Sequence, residues 1–265
     1  MSKKEITIIL PIHKWDKEYQ LMAENAINSV ENFYNDVKLL IIVPKEIMSE
    51  VVNEIHSEKL EIKVLLNEGL TDFCSQTNKG IENCDTEWFS ILEVDDEYRE
   101  CWLKSFNDYK NENPKVEVFL PIVRDINAEG EFLKYTNEAP WAYGFTENQG
   151  FLDRDALLDY QSFQISGGLY KTSVIKEFGL LKDNLKLTFG YEFLLRLAHN
   201  NVIIMTFPKV GYQHVNFRED SLFWKYKNSE EEKMSADEVK FWTEIAKKEF
   251  FLKNKRDDII YVKTE

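Results

Sequence analysis

Four acids in five residues, Glu93, Asp95, Asp96 and Glu97, follow an apolar run in "FSILEVDDEY" at 89–98. Carboxylates this close raise one another's pKa, and burial raises them further, unless a cation compensates. A hard divalent cation with oxygen ligands is such a compensator. Glu93 and Asp95 are two apart, so in an extended segment they face the same way and address one ion, while Val94 turns to the core. Mn2+ or Mg2+ held there acts as a Lewis acid on a diphosphate, stabilising the charge that builds when a sugar leaves it. The plain alternative is a solvated acidic turn. Its place at the end of an apolar strand favours the chemical reading.

The elements that must position these acids are legible upstream. Residues 5–12, 37–44, 60–66, 87–94 and 115–123 are apolar, β-branched runs. Between them, 16–33, 45–56, 71–83 and 99–111 carry helical spacing, with Asp16 and Thr71 as N-caps. Strands apolar throughout, alternating with helices, make a parallel sheet covered on both faces. Ligands of such sheets bind outside the carboxyl ends of the strands. The loops after Ile12, Pro44, Leu66 and Val94 are therefore the candidate ligand loops. The second half reads as a hairpin over 124–135 and a Gly- and aromatic-rich loop at 139–151. A strand, Gly-Gly turn and short helix follow at 163–179, then a helix at 190–201 and strand segments at 202–214. A last helix opens on a Ser235/Glu238 capping box.

The chain has 265 residues with 33 basic against 47 acidic side chains, a net −14. Residues 221–265 hold ten of each sign, so 1–220 carry the whole excess. That acidity argues against nucleic-acid binding except through a local basic patch. Three cysteines, with no C-x-x-C pair, fit free thiols in a reducing cytoplasm and carry no zinc spacing. No run reaches the roughly 20 apolar residues of a membrane span.

In order along the chain stand "ITIILPIH" (6–13), "NEG" (67–69), "TNKGI" (77–81), "EVDD" (93–96), "ISGGLYKTSVIKEFG" (165–179) and "EFLLRLAHNN" (192–201). This series resembles the family 2-type glycosyltransferases of the GT-A fold, over roughly residues 5–218. The resemblance implies an α/β fold with a mostly parallel central sheet flanked by helices, a small antiparallel element and C-terminal helices. It implies a catalytic domain at 1–220, with a nucleotide-binding half at 1–120 and an acceptor half at 121–220. A helical extension would follow at 221–265. It further implies an inverting transfer from a nucleotide-diphosphate sugar, with Mn2+ or Mg2+, to a hydroxyl acceptor. A glycan or lipid-linked sugar is the family's usual acceptor; a hydroxylated DNA base is a further option. By position, Pro11, Ile12 and His13 border the nucleobase and Asn78 lies near the nucleotide. Glu93 steadies the ribose or metal. Asp95 is the metal ligand. Asp96, beside them, is read as a supporting contact behind the ligands or as a donor-sugar contact, and Glu97 as solvent-facing.

His214 and Arg218 in "GYQHVNFRED" stand where the family often has a histidine reaching the metal or diphosphate. Imidazole ligates metals and guanidinium pairs with phosphate; simple packing is the alternative for His214. Gly167 and Gly168 allow close approach of backbone to donor or acceptor, or merely form a turn. Trp141 and Tyr143 could stack on a sugar or pack in the core. Phe189 and Gly190 stand where the family places Glu-Asp, whose Asp is the base. Glu192 is the nearest acid, either a general base or an i,i+4 partner of Arg196. Asp153 and Asp155 are weaker candidates. That departure motivates a rival, a noncatalytic member that binds a nucleotide sugar or glycan. The second strand ends "IIVPKE", without the acid that often reads uracil, so uridine is not implied. Nucleotidyl transfer ranks last, because "PIHKWDKE" offers no Gly-rich loop.

Overall fold

The computed structural model describes residues 4–142, 149–216, 218, 221–230 and 233–256. The first half alternates as its periodicity dictates: β1 (Ile6–Pro11), α1 (Lys17–Glu31), β2 (Val37–Pro44), α2 (Met48–Glu54), β3 (Ile62–Asn67), α3 (Phe73–Glu82), β4 (Trp88–Ile91), β5 (Glu97–Tyr98) and α4 (Trp102–Glu112). Asp16 caps α1 as expected. The cap of α3 is Asp72, whose carboxylate accepts the Ser75 N–H, and not Thr71.

The second half adds β6 (Val118–Ile126), β7 (Phe132–Thr136), α5 (Ala139–Ala142), β8 (Phe151–Leu152), α6 (Arg154–Asp159), β9 (Leu169–Lys171), α7 (Thr172–Phe178), α8 (Phe189–His199), β10 (Ile204–Val215), α9 (Leu222–Asn228) and α10 (Ala236–Glu249). The Ser235/Glu238 capping box is present. One sheet runs β3-β2-β1-β4-β9-β6-β10-β5, with β7 beside β6 and β8 beside β10. β1 is parallel to β2 and β4, β2 to β3, and β6 to β10. β9 lies antiparallel between β4 and β6. That single reversed strand leaves β4 and β6 running the same way. The carboxyl ends of β1, β4, β6 and β10 therefore share one edge. This is the mixed α/β architecture the sequence implies.

Successive residues of a strand face opposite sides. Ile6, Ile8 and Leu10 join α1 and α4 in one core, whereas Ile9 joins α3, α8 and α10 in the other. Gly80 lets α3 lie against β1, since a Cβ there would overlap the Ile9 side chain. Trp242, Ile245, Ala246 and Phe250 of the last helical segment are buried in the second core, while Val239 is exposed. Among the described residues no helix is long and apolar enough to cross a membrane.

Candidate active site

The apolar run stops being a strand at Ile91, earlier than its composition suggests. Leu92 still donates to Ile9, and then a turn closes with Asp96 N–H donating to Glu93 O at 3.1 Å. This turn overturns the extended geometry expected for 93–95. Residues three apart across it, Glu93 and Asp96, meet; Asp95 is sent elsewhere. Val94 is buried in the core as expected. β5 follows at once and pairs antiparallel with Tyr212 and Gln213 of β10, which sets His214 beside Asp96.

Glu93, Asp96 and His214 bring one ligand atom each within 4.8 Å of one another. The wholly buried Asp96 side chain accepts from Val215 N–H at 2.9 Å and lies 3.0 Å from His214 Nδ1. Glu93 Oε1 accepts from Ser166 Oγ at 2.7 Å and from Gln164 Nε2 at 3.3 Å. Burial, and next the Asp96 charge, push the Glu93 carboxyl up to about 7. Burial also raises Asp96, against the pull of His214. For His214, burial opposes the charge, but Asp96 and Glu93 outweigh it and hold the imidazole at about 10. A buried and a half-buried carboxylate beside an imidazole make a donor set that suits Mn2+ or Mg2+, with metal binding displacing the proton that pairs His214 with Asp96.

Asp95 is given to Arg218, whose Nε donates to Oδ2 at 2.8 Å. The Arg218 guanidinium lies over the Tyr19 ring, 5.2 Å from its centroid, and its Nη1 donates to the Tyr19 hydroxyl at 3.3 Å. The same hydroxyl is 3.1 Å from His13 Nε2. Burial, then the charges of Arg218 and Lys225, lower the His13 pKa. Of the expected nucleotide-side residues, His13, Glu93 and Arg218 thus converge with Asp95, Asp96 and His214 at the carboxyl edge of the sheet.

Other expected residues are occupied elsewhere. Pro11 and Ile12 are buried, and the Ile12 carbonyl accepts from Gln76, so of these three only His13 opens to solvent. Asn78 clamps Leu181 through both its N–H and its carbonyl. Gly167 (φ +77°) sits against the Tyr212 ring, and a Cβ on Gly168 would come within 2.8 Å of Leu120 and of the Tyr170 hydroxyl. Both are packing glycines. Trp141 donates to Thr206 O at 2.8 Å, packs over Gly150 and stays half-buried against the first core. Tyr143 lies outside the described residues.

Glu192 is sealed at 0% exposure, bonded by Arg196 Nε at 2.9 Å and paired with Lys182 at 3.0 Å. The helix ion pair is therefore present, and no face of this carboxylate is left for an acceptor hydroxyl. Asp153 caps α6 and Asp155 pairs with Arg154. They follow β8, which pairs with residues 204 and 205 at the start of β10, some ten residues before His214. Sequence reasoning missed Tyr19, Gln164 and Ser166. Ser166 stood next to the Gly-Gly pair and was the readable one; Tyr19 looked like an ordinary helix residue.

The sequence profile of glycosyl transferase family 2 matches residues 7–169, more than half of the chain. The chain belongs to glycosyl transferase family 2. The match contains Glu93, Asp95 and Asp96 and ends just past Ser166 and the two glycines, so the β10 side of the site lies beyond it. No curated protein sequence matches this family 2 chain. Its fold is shared by the S. aureus TarS 1–349 structure in complex with UDP-GlcNAc. That likeness has TM-score 0.65 and 15% identity, over 91% of this chain and 66% of that one. The S. aureus TarS 1–349 complex with UDP has TM-score 0.58 at 15% identity, over 80% and 60%. The chain thus spans under two thirds of these structures, and at this identity the likeness is one of GT-A fold.

Proposed function

We propose that this family 2 member is an inverting, metal-dependent transferase that moves a sugar from a nucleotide-diphosphate donor to a hydroxyl acceptor. The observation that carries this reading is the convergence of Glu93, Asp96 and His214 into one donor set with Arg218 beside it. Glu93, Asp96 and His214 would hold Mn2+ or Mg2+. When bound, that ion supplies Lewis-acid stabilisation of the departing diphosphate. Arg218 pairs with phosphate oxygens, and its guanidinium geometry suits them. His13, open at the end of β1, borders the nucleoside. The UDP and UDP-GlcNAc bound by TarS make these the first donor probes. A glycan or lipid-linked acceptor agrees with the net charge better than nucleic acid does.

The test is donor turnover and donor-induced thermal shift with Mn2+ across an acceptor panel. Asp96→Ala is expected to lose at least about 100-fold in turnover and to abolish the metal-dependent shift. Retention of either by Asp96→Ala rejects the site.

A second reading, a noncatalytic nucleotide-sugar or glycan binder, is favoured by the sealed Glu192 and by Gly190, which supplies no base. Metal-dependent donor binding without transfer to any acceptor would support it.

A further inference from the structure

Tyr19 is the site residue that no motif marked. It is the third residue of α1 and is wholly buried. The Asp16 carboxylate accepts its backbone N–H at 3.0 Å, which fixes where the helix starts. Its hydroxyl contacts His13 at 3.1 Å and Arg218 at 3.3 Å, its ring lies under the guanidinium, and Asp95 holds the other side of Arg218. A guanidinium can only donate, so the phenol oxygen accepts from Arg218, and the same hydroxyl engages His13 at Nε2 and leaves Nδ1 to face outward. One buried hydroxyl orients an imidazole six residues before it and a cation 199 residues after it. The Arg218 side chain is still 13% exposed, so part of the fork remains available to a ligand anion.

We propose that Tyr19 is a positioning residue for donor binding. It aims Arg218 at the donor's phosphates beside the acidic cluster and fixes which nitrogen His13 presents to the nucleoside. The inference rests on the nucleotide-donor reading above. It gives Asp95 a positioning role as well, because that carboxylate anchors Arg218 while the ion is left to Glu93, Asp96 and His214.

The test is calorimetric titration of the full chain and its variants in Mn2+ with inorganic pyrophosphate, which has no base, and with UDP, GDP, CDP and ADP. Tyr19→Phe keeps the ring and its packing and removes only the hydroxyl. It is expected to weaken pyrophosphate about 3- to 10-fold with an unchanged thermal midpoint. Arg218→Ala should weaken it at least as much, and the double variant no further, because both remove the same contact. Equal binding by wild type and Tyr19→Phe overturns the proposal, and so do independent losses that add in the double variant. If the wild type binds none of the probes, the donor reading fails and takes this inference with it. If the wild type binds, Asp96→Ala does not and Tyr19→Phe is unaffected, only the inference fails.

Discussion

Glu93 shows what a single residue concedes to the site. Its carboxyl is pushed up to about 7 from an ordinary 4.5 by burial and by Asp96. Below about pH 4.5 the group is neutral whether the chain is folded or unfolded. As pH rises towards 7 the unfolded chain ionises first, so metal-free protein loses stability over that window, and the loss persists above it. Glu93→Gln removes the titration and keeps an acceptor for Ser166. Its advantage over wild type in urea midpoint, measured in chelator, should be larger at pH 8 than at pH 5. The difference should be about 1–2 kcal/mol, allowing for solvent screening on the open side. Parallel pH profiles of the two proteins would show that Glu93 carries no such cost. The acidic composition of this turn was readable from the sequence. The choice of Asp96 rather than Asp95 as partner of Glu93 was not, because i,i+2 spacing selects a pair only in an extended chain, and the chain turns here.

At the scale of elements, α8 is where the chain departs from the family pattern. Thr188 precedes its first turn, and Gly190 stands where the family resemblance expects the base. A Cβ on Gly190 would meet Ile165 at 3.5 Å, an ordinary contact, and its φ is not positive. An acid in a first helical turn is also favoured by the helix dipole. Gly190→Asp should therefore fold with stability within about 0.5 kcal/mol of wild type. Ile165 stands between Gln164 and Ser166, which bond Glu93, and position 190 is where the family resemblance expects the base. If wild type binds donor without transferring sugar, Gly190→Asp is the variant expected to gain transfer to the acceptor panel. A wild type that already transfers and an Asp variant that is slower would show that the base comes from elsewhere. Helix and strand periodicities located these elements well. Their ends were less legible: β4 stops at Ile91 although the apolar pattern continues, since the turn hydrogen bond from Asp96 to Glu93 competes successfully with further ladder.

For the whole molecule, Glu192 binds distant parts of the chain into one body. With Lys182, Arg196 and Glu249 it forms a charge network of at most 3% side-chain exposure. Arg196 also donates to the carbonyls of Phe178, Gly179 and Leu180, and Lys182 to that of Glu249. Removing the Glu192 charge leaves Arg196 buried without its carboxylate partner and Lys182 with only the more distant Glu249, at a cost of about 3–5 kcal/mol. Glu192→Gln should accordingly lose that much stability in urea denaturation, while donor affinity measured well below the unfolding transition stays as in wild type. Full stability with lost turnover would restore Glu192 as a base. The sequence by itself determined the α/β class, the layered order of strands and helices, and the carboxyl edge at which the acidic cluster lies. Local propensity and the apolar periods of 2 and 3.6 encode those. Only the tertiary structure decided which charges meet. It sent Asp95 to Arg218, joined Asp96 to His214 across 118 residues of chain, placed Tyr19 beneath both His13 and Arg218, and sealed Glu192 in the core. Each of those outcomes depends on contacts between segments far apart in sequence, where spacing along the chain carries no information.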